Sequence, residues 1–415
     1  MASQMSKSFG ISRKGHTILP ALGYPQFRLL WVSGLSTWVG RWIEALVGAW
    51  LVLELTNSPF WVGLLGSCRF APFLLGPYCG TICDRINQRF VLLTVQVVYF
   101  TASLALLVLF ALGRIEVWHL FVFTFIGGLC FTFDLSARYS LAANIVKDDH
   151  IVSSISLMQV ANGTTSVVGP LMGGALFEVF GATGCFALIA TSFFLSFVAL
   201  LAFKFDTKAP LSNRGSIGRD LVSGLRYIMG DRLLFSLILM AGMVNLFIFP
   251  YAYTLMPIFA RDILGTGSSG FGQLMAGAGL GAILGSLAMG ATPQSANRGK
   301  YLVIAIMAWP VILMTLSFSK SFQLSIALLV IAGVAQGISM SLIHALLLMR
   351  ASGEMRGRVA GARAFAISTL TLGNFLTGYE ASLWDAPTAL IINTSVFILI
   401  TTLMVVWASE LVRRE

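Results

Sequence analysis

The stretch Gly80-Thr-Ile-Cys-Asp84-Arg85-Ile-Asn-Gln-Arg89 places three charged residues in a very short connection between two apolar runs. The run before the connection covers residues 60–82, and the run after it covers residues 90–112. Each run holds about the 20 residues that a helix needs to cross a bilayer. The sequence therefore predicts two membrane helices joined by a tight, charged turn.

The composition of the whole chain favours the same environment. Of the 415 residues, 57% are hydrophobic and 11% are charged, and the mean hydropathy is +0.85. Soluble proteins have about 45–50% apolar and about 25% charged residues, so a soluble enzyme is excluded. The net charge of +10 would suggest nucleic acid in a soluble protein. Here it reflects how basic residues are distributed across a bilayer, and no nucleic-acid partner is expected.

Apolar runs recur along the chain and predict an all-α integral membrane protein. Twelve runs, numbered as spans 1 to 12, lie at residues 27–55, 60–82, 90–112, 117–142, 151–178, 183–203, 233–260, 270–292, 300–319, 323–349, 357–381 and 387–410. With a cytosolic N-terminus, 21 of the 27 Lys and Arg residues lie in cytosolic segments and 3 lie in external loops. This asymmetry follows the positive-inside rule, so both termini are expected in the cytosol.

A polar stretch near the middle of the chain separates the first six spans from the last six. It predicts a cytosolic linker with a short interfacial helix at residues 219–229. The expected order is a cytosolic tail at 1–26, a six-helix bundle at 27–203, the linker at 204–232, a second six-helix bundle at 233–410 and a cytosolic tail at 411–415. The first 26 residues lack the continuous apolar core of a signal peptide.

Glycines suggest both a duplication and close helix packing. Gly169 and Gly174 match Gly373 and Gly378 at a common offset of 204 residues, and a weak internal repeat is typical of transporters whose halves rock about a central site. Small residues at helical spacing let helix backbones approach closely. We expect helix packing at Gly169, Gly173, Gly174, Gly277, Gly281 and Gly285.

Signatures of enzymes and metal sites are absent from the sequence. The Gly299-Lys300 pair lacks the earlier glycine of a phosphate-binding loop, and the four histidines have no zinc-type or triad-type spacing. The five cysteines fall in or beside apolar runs and are interpreted as membrane-embedded hydrophobic residues without disulfides. No catalytic residue, metal or cofactor is expected.

Ionisable residues inside spans are the informative ones, because a charge in hydrocarbon is tolerated mainly beside a partner or a cavity. Arg41 and Glu44 lie three residues apart on one face of span 1. Two interpretations stay open: an internal ion pair, or a protonatable Glu44 whose proton affinity changes as a cation approaches. Under the second, Glu44→Gln abolishes coupled transport while the protein still inserts.

Further candidates for a substrate and proton pathway are polar or aromatic residues in other spans. Asp134 forms an i, i+4 pair with Arg138 near one end of span 4 and is the second candidate for a proton carrier. Asn245 and Tyr253 lie on a partly polar, aromatic wall of span 7, and Gln336 lies in span 10. Such side chains are suited to line a cavity for a drug-sized molecule.

With these features, the chain resembles the major facilitator superfamily of transporters. Gly80, Asp84, Arg85 and Arg89 resemble the superfamily's motif between spans 2 and 3, although Asn87 and Gln88 stand where glycine or a further basic residue is frequent. The resemblance implies two six-helix bundles around a central cavity. It also implies a conformational latch, with Asp134 as a partner for Arg85. Asp84 would then meet the start of span 11. The expected latch residues are Gly80, Asp84, Arg85, Arg89, Arg138 and Arg363.

Other stretches resemble one branch of that superfamily, the enterobactin-type siderophore exporters and related drug efflux proteins. They are Phe27-Arg-Leu-Leu-Trp31, Trp50-Leu-Val-Leu-Glu-Leu-Thr56, Arg69-Phe-Ala-Pro72, Asp134-Leu-Ser-Ala-Arg138, Val168-Gly-Pro-Leu-Met-Gly-Gly174, Gly224-Leu-Arg-Tyr227 and Arg356-Gly-Arg-Val359. The branch resemblance implies the export direction. The chain is therefore expected to be a proton-coupled exporter of amphipathic small molecules such as drugs, siderophores or other metabolites, driven by the proton gradient. The resemblance of the fold implies that it acts as a monomer. An uptake carrier or a lysophospholipid flippase of the same fold remains the alternative, and the expected location is the bacterial inner membrane.

Overall fold

The computed structural model describes most of the chain. The described residues are 20–204, 223, 226–292, 297–352 and 355–407, without the side chains of residues 84, 356–358, 360 and 364. Most of the expected N-terminal tail, most of the predicted linker with part of its interfacial helix, and the expected tail at 411–415 lie outside the described residues.

Helices make up the first part of the described chain. They are α1 (Pro25–Thr56), α2 (Pro59–Phe70), α3 (Gly76–Arg85), α4 (Gln88–Ala111), α5 (Val117–Asn144) and α6 (Ile151–Ala202). Prolines stand in the first turns of α1 and α2, where the missing N–H costs no helical hydrogen bond. Asn57 ends α1 in the left-handed conformation, with φ of 49°.

Three predictions of span boundaries differ from the structure. Predicted span 11 is divided into the helices Arg356–Ala366 and Thr369–Leu383 by a turn at residues 367–368. Predicted span 2 is divided into α2 and α3 by a 3₁₀ turn at Ala71–Leu75, which has a proline in its first turn, because proline cannot continue the α-helical ladder. Predicted spans 5 and 6 form the single element α6, which bends at Gly181. The positive φ of 62° at this residue is a conformation that glycine adopts without steric cost.

The second part of the chain is also helical. It contains α7 (Arg232–Met243), α8 (Ser268–Gly290), α9 (Arg298–Leu316), α10 (Phe322–Arg350), α11 (Arg356–Ala366), α12 (Thr369–Leu383) and α13 (Ala386–Trp407). Between α7 and α8 the chain forms three π-helical turns, Val244–Ile248, Tyr251–Leu255 and Phe259–Ile263. Such turns occur as single insertions, often at functional sites, and here they surround Pro250 in predicted span 7.

Eight helical stretches in the described part of the chain are long and apolar enough to cross a membrane. The fold is therefore that of an all-helical membrane protein with many spans. The count of twelve and the side on which the termini lie stay predictions.

The helices form two groups, α1–α6 and α7–α13, and the two largest contacts between the groups are α2 with α12 and α6 with α8. At the first contact Gly63 faces Gly378, and at the second Gly174 faces Gly272. Arg261 also reaches across, donating from Nη1 to the Leu53 carbonyl and to Asn57 Oδ1, both at 2.9 Å. We call this end of the molecule the Asn57 end and the opposite one the Lys204 end.

The glycines singled out by their spacing lie at helix contacts. A Cβ on Gly281 or Gly285 would overlap the main-chain carbonyls of Val330 and Val334 on α10. A Cβ on Gly169 would press on Trp42, and one on Gly173 would lie 3.3 Å from Ile43, both on α1. Gly174 packs on Ser268 of α8, whereas Gly277 has ordinary contacts from 3.6 Å. Because these glycines have no side chain, α6 can lie close to α1, and α8 can lie close to α10.

Candidate functional site

A carboxylate held by two arginines lies inside the first helix group. Arg41 and Glu44 stand one turn apart on α1, and Arg41 Nη1 donates to Glu44 Oε2 at 2.8 Å. Arg69, near the end of α2, donates to the same carboxylate from Nη2 at 2.7 Å and from Nη1 at 3.0 Å. We call Arg41, Glu44 and Arg69 the Glu44 cluster. Charged, two-pronged hydrogen bonds of this kind are among the strongest in proteins.

The charges of the Glu44 cluster are deeply buried and do not balance. Arg41, Glu44 and Arg69 expose 8%, 3% and 6% of their surface. Two cations and one anion leave one excess positive charge. Burying an uncompensated charge is costly, and charged residues within membrane helices almost always mark a functional path or a partner.

Aromatic and hydroxyl groups surround the Glu44 cluster. The guanidinium carbon of Arg41 lies 5.7 Å from the ring centre of Tyr99 and 5.3 Å from that of Phe131, distances at which ring faces attract cations. Thr124 donates to Glu44 Oε1 at 3.3 Å. The Tyr99 hydroxyl donates to the Gly127 carbonyl at 2.9 Å, so the arginine is fixed between α4 and α5.

A second charged pair lies deeper in the same helix group. Arg138 donates to Asp134 through Nε at 2.9 Å and through Nη2 at 2.6 Å, and both side chains are fully buried. The expected i, i+4 pair is therefore formed. Gln96 on α4 approaches the same carboxylate, with its Nε2 at 3.5 Å from Asp134 Oδ1.

The remaining donors of Arg138 bind α1. Its Nη1 donates to the Leu30 carbonyl and to Ser33 Oγ, both at 3.1 Å. Its Nη2 reaches Thr37 Oγ1 at 3.4 Å, and Ser196 on α6 joins both hydroxyls at 2.7 and 2.8 Å. This satisfied network connects α1, α5 and α6, and a change of charge at Asp134 would act on all three helices.

The other expected pathway residues occupy different settings. Tyr253 lies edge-on to Phe70 with ring centres 5.0 Å apart and within electrostatic range of Arg41 and Arg69. Asn245 donates to the Ala241 carbonyl of its own helix at 2.8 Å. Gln336 is half-buried on α10. The structure thus brings Tyr253 to the Glu44 cluster, while Asn245 and Gln336 lie outside its hydrogen-bond network.

Tyr253 belongs to an apolar cluster that joins the two helix groups beside the charges. Its buried members are Phe70, Phe73 and Leu370, and the partly buried side chains packed on them are Phe131, Phe249, Tyr253 and Ile367. The residues come from both helix groups, so any movement of one group against the other must repack this cluster. The Glu44 cluster therefore lies next to the surface on which the groups would move.

The expected latch residues lie on α3, α4, α5 and α11, and α11 of the second helix group is in contact with α3. Arg85 is exposed, and Asp134 pairs with Arg138 rather than with Arg85. Arg89 donates to the Leu201 carbonyl at 3.1 Å. Gly80 has open space around it, and the Asp84 side chain lies outside the described part of the structure. Arg363 is half-buried on α11. The role of these residues in a latch stays a prediction.

Sequence reasoning did not assign Arg69 to the site, although it lies inside predicted span 2. The signal was its position: a basic residue within an apolar run. Asn374 on α12 was also not singled out. It accepts a hydrogen bond from Thr254 at 2.8 Å and faces Gly66 of α2, at the contact between the groups. In the described part of the chain, no group of His, Cys, Asp and Glu residues is suited to hold a metal ion.

Comparison with known families gives one match over almost the whole chain. A family described as transmembrane secretion effectors matches residues 17–414.

Curated relatives are more distant. The MFS-type transporter YfiS of Bacillus subtilis strain 168 is 25% identical over 253 residues, 59% of each chain. The multidrug resistance protein MdtG of Salmonella choleraesuis strain SC-B67 is 23% identical over 72% of this chain and 73% of its own. The staphyloferrin A transporter of Staphylococcus aureus strain NCTC 8325 / PS 47 is 21% identical over 62% of this chain and 65% of its own. The chain thus spans less than two thirds of the first and third relatives.

Solved structures share the fold. A bacterial homologue of the human lysosomal transporter Spinster, in an inward-facing and unoccupied conformation, superposes with a TM-score of 0.71 at 16% identity, covering 94% of this chain and 98% of that one. A POT family transporter in complex with a thioalcohol-conjugated peptide gives a TM-score of 0.73 at 14% identity, covering 93% and 96%. At these identities the likeness establishes the fold alone.

Proposed function

We propose that this chain, which belongs to the transmembrane secretion effector family, exports amphipathic small molecules in exchange for protons. It is a secondary transporter of the major facilitator superfamily, on its drug and siderophore branch. It acts as a membrane transporter rather than as an enzyme. Multidrug resistance and staphyloferrin A transport are named for relatives, and they support a cargo such as a drug, siderophore or other metabolite.

The observation that carries this proposal is the Glu44 cluster beside the contact between the two helix groups. In secondary transporters the two halves rock around a site near the bilayer midplane, so buried charges beside the contact between the halves would change their surroundings in each cycle. Arg41, Glu44 and Arg69 are buried at that position, and Tyr253 of the second group packs on Phe70, the residue after Arg69. Alternating access would expose and reseal this cluster once in each cycle.

The direction of access follows from charge distribution. Under the positive-inside rule, the Lys204 end faces the cytosol and the Asn57 end faces outward, with twelve spans and both termini inside. Close packing at Gly63, Gly174 and Arg261 then corresponds to a state closed toward the outside. Cargo would enter from the cytosol of a bacterial cell, and the protein would work as a monomer in the inner membrane.

Two buried acids are candidates to carry the proton. Glu44 is placed beside the moving surface, and Asp134 joins three helices through Arg138 and its hydroxyl partners. Protonation of either acid would release guanidinium groups from their present positions. The proton gradient would thereby be coupled to the opening of the cavity, without a bound cofactor.

The test uses the purified protein in liposomes that contain a pH-sensitive dye. A pH gradient is imposed in the presence of dyes, catecholate siderophores or lysolipids. We expect proton flux that depends on one compound and that disappears in Glu44→Gln or Asp134→Asn, while both variants still insert. Full compound-dependent flux in both variants would contradict the coupling, and no flux with any compound would contradict the exchange.

A lysophospholipid flippase or an uptake carrier is the second candidate. The resemblance of the fold to transporters of several kinds leaves both open. In the same liposomes, redistribution of lysolipid between leaflets without compound-dependent proton flux would favour the flippase. Accumulation of a compound inside, together with protons, would favour uptake.

A further inference from the structure

We propose that the Glu44 cluster binds an anionic oxygen group of the cargo, a carboxylate or a phosphate, on the free side of Arg41. This inference rests on the proposed transport function and names the chemical class of cargo that the site prefers. It predicts that cations bind more weakly than anions.

The charges around Arg41 do not balance. Arg41 donates to Glu44, and Arg69 holds the same carboxylate through two hydrogen bonds. Asp134 on α5 cannot serve as a second counter-ion, because it is already paired with Arg138. The distance from Arg138 Nη2 to Asp134 Oδ1 is 2.6 Å. One positive charge of the Glu44 cluster thus lacks a counter-ion among the described residues, and burial makes a counter-ion favourable.

Arg41 has N–H donors that no described residue uses. Arg41 donates to Glu44 through Nη1, and its Nη2 and Nε make no hydrogen bond to a described residue. A guanidinium presents five N–H groups in a planar fork that matches a carboxylate or phosphate. The free edge of Arg41 therefore has both the charge and the geometry to hold two anionic oxygens.

The unused donors of Arg41 lie beside aromatic residues of both helix groups. Tyr253 comes from the second helix group, is partly exposed, and its hydroxyl has no hydrogen-bond partner among the described residues. Phe131 lies against the Arg41 guanidinium and is also partly exposed. An anion on Arg41 would be covered by Tyr253, while the apolar cluster around Phe70 and Phe73 would receive the hydrophobic part of an amphipathic cargo.

The anionic cargo also separates the roles of the two buried acids. A cargo carboxylate on the free edge of Arg41 would be repelled by the nearby Glu44 carboxylate, so neutralising Glu44 would strengthen cargo binding. Exchange of cargo for protons requires instead that proton binding weakens cargo binding. In an exporter with an anionic cargo, the coupling proton therefore belongs to Asp134, while proton binding at Glu44 would instead accompany cargo in the same direction.

The experiment measures binding of three fluorescent probes that share one ring system. Dansylglycine carries a carboxylate, dansylglycinamide is neutral, and dansylcadaverine is a cation. The purified wild-type protein is titrated with each probe and compared with Arg41→Gln, Arg41→Lys and Arg114→Gln. The last variant is the matched control, because Arg114 is an exposed cation remote from the Glu44 cluster.

We expect wild-type protein and Arg114→Gln to bind dansylglycine about tenfold more tightly than dansylglycinamide, and dansylcadaverine more weakly than either. Arg41→Gln, which retains the balanced Arg69–Glu44 pair, should fold and lose the preference for the acid, and Arg41→Lys should keep part of it. Lysophosphatidic acid that displaces dansylglycine more effectively than a free fatty acid would identify a lipid phosphate as the source of the anion, and the reverse order would identify a carboxylic acid.

Equal or tighter binding of the neutral or cationic probe, no detectable binding of dansylglycine, or an unchanged acid preference in Arg41→Gln would overturn the inference. These outcomes are distinct from failure of the proposed function. Liposomes that move dansylcadaverine but show no acid preference would retain the transporter and reject the anion site. Selective binding of dansylglycine without any transport would retain the site and reject the transport cycle.

Discussion

Glu44 accepts hydrogen bonds from both terminal nitrogens of Arg69, at 2.7 and 3.0 Å, across the contact between α1 and α2. Arg41 binds the same carboxylate from within α1. The single acid therefore holds two cations, and each of the three side chains makes a different contribution to the charge balance. Substitutions at the three positions should therefore differ in how much they destabilise the folded protein.

Glu44→Gln should destabilise the protein more than Arg41→Gln. The first substitution leaves two buried arginines without an anion, whereas the second leaves the Arg69–Glu44 pair. Removing one partner of a buried ion pair costs about 3–5 kcal/mol, and we expect Glu44→Gln to approach that loss. Thermal unfolding of both variants in the same detergent compares their stabilities. A higher melting temperature for Glu44→Gln than for Arg41→Gln would contradict the prediction that one acid neutralises two buried arginines.

Asp134→Asn should remove coupling to the proton gradient and leave binding of dansylglycine close to that of the wild type. Asp134 is fully buried beside Arg138 and contacts none of the residues of the Glu44 cluster in the hydrogen-bond network. Comparison of pH-driven transport with equilibrium binding separates the two properties. Loss of binding to the same extent as loss of transport would place Asp134 in the cargo site instead.

Gly281→Ala should prevent close packing of α8 on α10. The added methyl group would overlap the Val330 carbonyl and approach Gly333 at 2.9 Å, and main-chain atoms of two helices cannot yield without separating. We expect a large loss of folded protein in size-exclusion chromatography. Gly290→Ala is the control because no atom beyond its own turn of helix lies within 4 Å of the new methyl group. Similar yields for both variants would show that the contact is unimportant.

Arg261→Ala should loosen the Asn57 end. The arginine joins the second helix group to the Leu53 carbonyl and to Asn57, so its loss removes two hydrogen bonds across the contact. Faster amide hydrogen exchange in residues 53–58 is expected, with little change at the Lys204 end. Unchanged exchange in this segment would mean that glycine packing alone holds the end closed.

The pair of Asp231 and Arg350 should make stability depend on pH. Partial burial opposes ionisation of Asp231, but hydrogen bonds from Arg350 and from the backbone of Leu234 and Leu233 outweigh it and lower its pKa. The pKa is lower in the folded state than in the unfolded state, so the stabilisation is present above the unfolded value and is lost as pH falls through the folded one. The difference in melting temperature between wild type and Asp231→Asn should be largest near neutral pH and should shrink below about pH 4. A constant difference would exclude the ion pair as its cause.

The sequence was most informative where the relevant contact lies within one helix. The pairs Arg41–Glu44 and Asp134–Arg138 follow from spacings of three and four residues, and both are formed. Apolar runs likewise predicted the helices, because each must present about 20 residues to lipid.

The spacing of residues along the chain could not predict contacts between different helices. Arg69 reaches Glu44 from a residue 25 positions away, and this depends on how α2 packs against α1. Similarly, Asp134 has Arg138 as its partner rather than Arg85, because the buried pair is already complete within α5. The π-helical turns around Pro250 change hydrogen-bond register without altering the apolar pattern, so hydropathy could not reveal them.

Counterflow in liposomes tests the central claim most directly. Vesicles loaded with unlabelled dansylglycine are diluted into a trace of its radiolabelled form, without a pH gradient, and uptake of label is followed for wild type, Arg41→Gln and Arg114→Gln. We predict transient accumulation of label with wild type and Arg114→Gln, and its loss with Arg41→Gln, since exchange requires an anion site that faces each side in turn. No accumulation with wild type, or equal accumulation with Arg41→Gln, would contradict transport through the Glu44 cluster.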